Sequence, residues 1–267
     1  MGNTKQEIEK QKKERLGEIR KNKFGTKMKI IKYNNASDII VEFQDKYKAK
    51  VHTDYRWFKK GNVKNPYDKE VYNIGYIGKG KYKTLENKSR TKAYKIWINM
   101  IHRCYDPYYI NEHLTYIDCY VCEEWHNFQV FAKWFYENYY EIKNEKMNLD
   151  KDILIKGNKL YSPETCLIVP ERINTLFIKC DKSRGKYPIG VSDCCNKYGC
   201  KFLTVYCQTL EKREYLGYFP IDRPFQAFTV YKNFKEEYIK EVANEYKELI
   251  PQKLYDAMYR YEVEIDD

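Results

Sequence analysis

The sequence predicts a multi-domain α+β protein, and three observations carry that expectation. Short β-type runs, Met28–Tyr33, Asp38–Phe43 and Lys48–His52, are separated by Asn34-Asn35 and Gln44-Asp45, the composition of a small antiparallel sheet or barrel. Two stripes at helical spacing follow, Tyr94, Trp97, Met100, Ile101 and Cys104, then Trp125, Phe128, Phe131, Ala132 and Phe135. Last come three strand-like runs, 188–192, 200–207 and 213–219, ahead of one long helical pattern over 224–246.

Taken in order, residues 4–23 hold only Ile8, Leu16 and Ile19 as apolar side chains, a pattern that makes a solvated helix and no core. They predict a mobile basic helical arm over residues 1–25. A basic β module follows over 26–90, in which Gly61-Asn62 and Asn65-Pro66 are turn signals. Gly78-Lys79-Gly80-Lys81 lacks the spacing and the Ser or Thr of a phosphate-binding P-loop, so it reads as a basic turn. The two helical stripes open a third segment, 91–180, which closes with a hairpin: Asn148 to Ile155, a Gly157-Asn158 turn, and Thr165 to Val169. Pro170 then stands at a helix start leading to Ile173, Leu176 and Phe177. In the fourth segment, 181–250, three strands are backed by one helix whose apolar face is expected to carry Phe225, Phe228, Tyr231, Phe234, Tyr238, Ile239, Val242 and Ala243, leaving the other sheet face open. Residues 251–267 read as an acidic tail that ends the domain.

Composition excludes some functions. Hydrophobic residues make up 43% of the 267, and no apolar run approaches the length of a membrane span, so neither a transmembrane helix nor wholesale disorder fits. The first residues carry no apolar stretch for a signal peptide, and nine Cys without one argue for reduced thiols in a cytoplasm. The net charge of +11 points to an acidic partner. Residues 1–25 hold 8 basic and 4 acidic side chains and residues 26–95 hold 18 and 7, whereas 96–179 hold 9 and 12 and 180–267 hold 14 and 15. Any phosphate-gripping surface is therefore expected in the first 95 residues, with double-stranded DNA as the simplest partner.

The sharpest local signal is Asn148-Leu149-Asp150-Lys151-Asp152-Ile153, followed by Gly157 to Cys166 with Tyr161-Ser162-Pro163, and then Asn174. Together with Trp97 to Tyr105 and Val121 to Trp125, this resembles phage-type HNH (His-Me finger) homing endonucleases. The resemblance implies a ββα-metal arrangement that cuts DNA with Mg²⁺ or a similar divalent ion, in which a His takes a proton from water beside the metal. It implies Asp150 and Asn174 as metal ligands and Asn158 as the residue that orders the loop. Lys151 occupies the general-base position, and an ordinary Lys, protonated at neutral pH, cannot serve as a base, so weak or lost cleavage is expected. His126 is the one neighbouring imidazole that could substitute, with a structural place beside the core Trp125 as the commoner alternative. Cys104, Cys119, Cys122 and Cys166 include one Cys-x-x-Cys and could close a structural zinc site, with ordinary core packing as the alternative.

The fourth segment resembles the APETALA-type DNA-binding domain of plant ethylene-response factors, through Ile189-Gly190-Val191, Tyr198-Gly199, Phe202 to Tyr206, Arg213 to Phe219 and Ala227 to Tyr231. That resemblance implies a sheet face set in the major groove, with Tyr198, Thr204, Tyr206, Arg213 and Tyr215 at the DNA-facing positions, while Leu203 and Val205 alternate toward the helix. Where the family uses several Arg and Trp, this chain has one Arg with Tyr and Thr. The sequence thus supports a DNA-binding, nuclease-like protein. A second reading, favoured by Lys151, is a non-catalytic regulator or inhibitor that uses the same scaffold to bind nucleic acid or a host protein.

Overall fold

The computed structural model describes residues 4–178, 185–265 and 267, and the chain is of mixed α+β class with several small sheets, as expected. It divides into two compact units, Met1–Tyr136 and Glu137–Asp267. Among the described residues, no helix is long and apolar enough to cross a membrane.

The first unit opens with helix α1 (Lys5–Arg15), started by a capping box between Thr4 and Glu7, and burying no residue of its own. It was expected to be a mobile arm and differs from that at its second half. The Arg15 guanidinium donates to the Tyr33 hydroxyl at 2.6 Å and lies 3.9 Å over the Tyr55 ring, and residues 19–21 enter a sheet. That sheet is β1 (Ile19–Lys21), β2 (Lys27–Asn35), β3 (Asp38–Phe43) and β4 (Lys50–Thr53), antiparallel and in sequence order. Met28, Ile30, Ile39, Val41 and Phe43 alternate onto one face, where Phe58 of α2 (Tyr55–Lys59) and Val63 cover them. A register shift between Ile30 and Lys32 resets the alternation so that Tyr33 also points inward. The other face carries Lys27, Lys29, Lys32 and Lys50 together with Ile40 and His52, and Glu42 stands between Lys29 and Lys50 in register.

After the two-residue strands β5 (Leu85–Glu86) and β6 (Ser89–Arg90), Thr91 caps α3 (Lys92–Tyr105). Asp106 ends α3 and caps α4 (Pro107–Glu112), with Pro107 in its first turn. Strand β7 (Tyr120–Val121) and a short 3₁₀ turn lead to α5 (Phe128–Asn138). Both helical stripes are core, as their spacing predicts. Trp97 and Trp125 are fully buried, and the Trp97 indole donates to the Trp125 carbonyl oxygen at 2.7 Å.

In the second unit, β8 (Met147–Asp150) pairs antiparallel with β10 (Leu167–Pro170), β9 (Leu160–Tyr161) lies in the connection between them, and α6 (Glu171–Thr175) follows directly. The predicted hairpin and helix are therefore present, with the ladder carried by the outer ends of the hairpin. Strands β11 (Val191–Cys195), β12 (Lys201–Gln208) and β13 (Arg213–Pro220) form the three-stranded sheet, and α7 (Pro224–Glu245) packs on it. Gly190 has φ +77°, and an added Cβ would stand 2.0 Å from the Tyr231 ring, so only glycine lets this helix close on the sheet.

Two features of this unit differ from expectation. Phe225 is 70% exposed, because the buried positions of α7 run Ala227, Tyr231, Lys235, Ile239, Val242 and Ala243, a four-residue step that leaves Phe225 outside. The segment after Pro251 is no tail: it forms α8 (Gln252–Tyr259), whose Leu254 and Met258, one turn apart, are buried against Ile239, Val242 and Ile250. Leu254→Ala should lower the unfolding free energy of the full chain by about 3 kcal/mol in urea titration. An unstructured tail would give no change.

Candidate nucleic-acid interface

The open face of the β11-β12-β13 sheet is built by alternation and one bulge. On β12 the odd positions Leu203, Val205 and Cys207 are fully buried toward α7, so Phe202, Thr204, Tyr206 and Gln208 occupy the opposite face. The ladder shifts between Val205 and Tyr206, which pair with Gly217 and Tyr215, leaving Leu216 as the extra residue. Beyond the bulge the phase of β13 is reversed: Phe219 turns into the core beside Leu216, and Tyr218, opposite Thr204, stands on the open face at 72% exposure. Unbroken alternation from Arg213 and Tyr215 would have put 217 and 219 there, which is why the sequence reading missed Tyr218.

Four of the five expected DNA-facing residues are accessible on this sheet or its hairpin. The Arg213 guanidinium lies 4.2 Å over the Tyr206 ring, and Tyr206 packs against Tyr215 with ring centroids 5.3 Å apart. A guanidinium stacked on a ring has already lost much of its rotamer freedom, so presenting it to a ligand costs little further entropy. Tyr215 is exposed, and so is Tyr198 in the β11-β12 turn at the opposite end of the sheet from Arg213. Over the eight residues of β12, that separates them by roughly 23 Å at the usual strand rise. Thr204 departs from its expected role. It is 6% exposed and its hydroxyl donates to the Ser192 carbonyl oxygen at 3.3 Å, so it serves the sheet itself. At its Arg213 end the face runs into a cleft of about 600 Å³, lined also by Thr175, Gly190 and Lys235.

The hairpin places Lys151 differently from a base. It is 5% exposed, and its Nζ donates to both Asp152 carboxylate oxygens at 2.8 and 2.7 Å and to the Asn158 carbonyl oxygen at 2.7 Å. Asn158 replies with Nδ2 donating to the carbonyl oxygens of Lys151 at 2.9 Å and Leu160 at 2.7 Å, while its Oδ1 accepts from the Leu160 amide at 3.1 Å. The two side chains clasp the connection from opposite ends. With three acceptors around it, the Lys151 Nζ is committed as a hydrogen-bond donor and is not aimed at a water to be activated.

Asp150 sits at the end of β8, and its Oδ1 accepts from the backbone amides of Asp152 and Ile153, each at 2.8 Å. Burial pushes its pKa above the ordinary carboxylate value, against the pull of those amides. Asn174 is half-buried on α6, which packs against β8. Both side chains carry oxygen donors of the kind a hard divalent ion takes. His126 lies in the first unit, where its Nε2 donates to the Val121 carbonyl oxygen at 3.1 Å and burial lowers its pKa, leaving a neutral ring whose basic nitrogen is Nδ1. Cys104 and Cys119 are buried and Cys122 half-buried in that same unit, and Cys166 is buried in the second. Among the described residues, no three His, Cys, Asp or Glu side chains come together as a metal-holding group.

A carboxyl whose pKa is raised by folding favours the folded state while protonated, and that contribution is lost as pH rises from about the ordinary value through the raised one. Asp150→Asn keeps the Oδ1 acceptor and removes the buried charge. It should therefore stabilise the chain at pH 7 and flatten the fall in Tm between acid and neutral pH. A lower Tm at pH 7 would mean that the carboxylate charge itself is needed. Comparison of the chain with protein-family models, with curated proteins and with solved structures finds no match.

Proposed function

We propose that this protein binds double-stranded DNA through the open face of its β11-β12-β13 sheet, on a nuclease-like scaffold that no longer cleaves DNA or does so weakly. The observation that carries the binding reading is the Arg213–Tyr206–Tyr215 cluster with Tyr218 beside it, a stacked guanidinium among accessible phenols on the sheet face away from α7. An Arg can donate two hydrogen bonds to a guanine edge, and Tyr can stack or reach phosphate. The stretch from Tyr198 to Arg213 suits a ribbon lying along part of a groove turn. The surplus of positive charge in residues 1–95 supplies a non-specific grip that the near-neutral sheet segment lacks.

The binding arm is tested with the full chain and a labelled duplex selected from a random pool. Arg213→Ala and Tyr218→Ala should each weaken the selected duplex by about 10-fold or more, the scale of one lost base contact, while random duplex is weakened less and Tm stays within about 1 °C. Equal losses on both duplexes, or a falling Tm with affinity intact, would overturn the groove reading.

Lys151 supports the non-catalytic side of the proposal, since its side-chain nitrogen is spent on three acceptors that hold the hairpin connection together. A divalent ion held by Asp150 and Asn174 would supply Lewis acidity to a phosphodiester, and this chain's own residues would then have to find a base elsewhere. Supercoiled plasmid incubated with the full chain and Mg²⁺ should stay largely supercoiled. Rapid nicking that disappears in Asp150→Ala would show the hairpin to be a working nuclease centre.

A further inference from the structure

We infer that the first unit carries a built phosphate-binding cleft between the β1-β2 turn and the end of α2, and that this cleft holds the sugar-phosphate backbone of duplex DNA. The inference rests on the DNA-binding reading and names where the backbone is gripped. The cleft, about 280 Å³, is lined by Arg20, Lys21, Asn22, Lys23, Lys59, Lys60 and Gly61. Five of the seven lining residues are cationic, and none is acidic.

Three features make this a shaped site. The turn is rigid, because Asn22 is buried and its Oδ1 accepts from the amides of Phe24 and Thr26, each at 3.0 Å. Asp68, the carboxylate beneath the turn, is buried and engaged by Asn22 and by the Thr26 hydroxyl at 2.6 Å, so its charge is turned inward. The two walls are stitched by the Lys23 amide donating to the Gly61 carbonyl oxygen at 2.9 Å. Gly61 itself has φ +68°, and a Cβ there would stand 3.0 Å from the Lys21 carbonyl oxygen, so the close approach of the walls requires glycine.

The charge is available. Arg20 gives its Nε to Glu18 at 2.7 Å, and among the described residues no carboxylate pairs with Lys21, Lys23, Lys59 or Lys60, all of which are exposed. Like charges held together in a cleft repel one another, and an anion relieves that repulsion where a neutral or cationic ligand cannot. Phe24 follows Lys23 directly and Trp57 precedes Lys59 by two residues; at 53% and 47% exposed, their rings can lie against the sugars of a strand. A polyanion of repeating phosphates fits this set better than one small anion, since the cations are spread over two walls.

The test compares two fourfold variants of the full chain with wild type: Lys21, Lys23, Lys59 and Lys60 each to Gln, and, as an equal loss of charge elsewhere in the unit, Lys79, Lys81, Lys83 and Lys88 each to Gln. Dissociation constants for random-sequence duplex are measured from 50 to 200 mM salt, with Tm as the check on folding. The cleft variant should lower the magnitude of the slope of log K against log salt by about 2 and weaken binding about 10- to 100-fold at the lowest salt, while the control variant changes both much less. Equal effects from the two variants, or an unchanged slope with the cleft variant, would overturn the cleft and leave DNA binding standing. Failure of the wild-type chain to bind duplex at all would overturn both. Tripolyphosphate is the second probe: if it binds wild type, is lost in the cleft variant, and duplex does not compete with it, the ligand is a free polyphosphate and the backbone assignment falls.

Discussion

Helix α7 is the element on which the second unit depends, because two cores share it. Its first half covers the three-stranded sheet through Ala227 and Tyr231, and its second half supports the hairpin and α6 through Ile239, Val242 and Ala243, with Tyr246 capping its end. At 22 residues the helix is roughly 33 Å long, enough to serve both. Neither small sheet could bury a sufficient apolar face alone. Helix α8 completes the second core with Leu254 and Met258, and the hydroxyl of Tyr246 donates to Glu145 at its edge. Sheet and hairpin are thus supported by one continuous rod.

A thin sheet with one cover must leave its other face wet, and both units are built that way. The four-stranded sheet gives its free face to lysines, whereas the three-stranded sheet gives its free face to tyrosines and one arginine. These are different chemistries on similar scaffolds. Lysine offers a mobile point charge suited to phosphates in any sequence, while a stacked arginine offers a fixed fork with directional donors. The division matches the uneven charge along the chain, in which the surplus ends near residue 95.

Much of this was legible in the sequence wherever a single period runs unbroken. The stripes of Trp97 to Cys104 and Phe128 to Phe135 became buried helices, and the odd positions of β12 became core. What was hidden lies where the period slips or where partners come from far away. Tyr33 and Tyr218 each follow a register shift, which no local pattern announces. Phe225 looked like the start of an apolar face, but the helix enters the core two residues later at Ala227. Leu254 and Met258 sat in a segment whose acidic residues masked a short i, i+4 pair. Lys151 was legible as a departure from the resembled pattern, yet its three acceptors, one of them the carbonyl of Asn158, are tertiary facts. The cleft at Lys23 and Lys59 joins segments 36 positions apart, so the sequence showed only the charge surplus of residues 1–95 and the Gly61-Asn62 turn signal.

The bulge between Val205 and Tyr206 makes the outer surface of β13 a matter of reading frame. Residues before it and after it face outward on opposite parities, so a change that flattened the bulge at unchanged strand length would exchange Tyr218 with Phe219 across the sheet, without altering either residue. The hydroxyl would then be driven against α7 and the bare ring turned toward solvent. Variation at Leu216 can in this way redraw the exposed face more than substitution of any residue on it, and the bulge becomes as heritable a determinant of that face as its side chains.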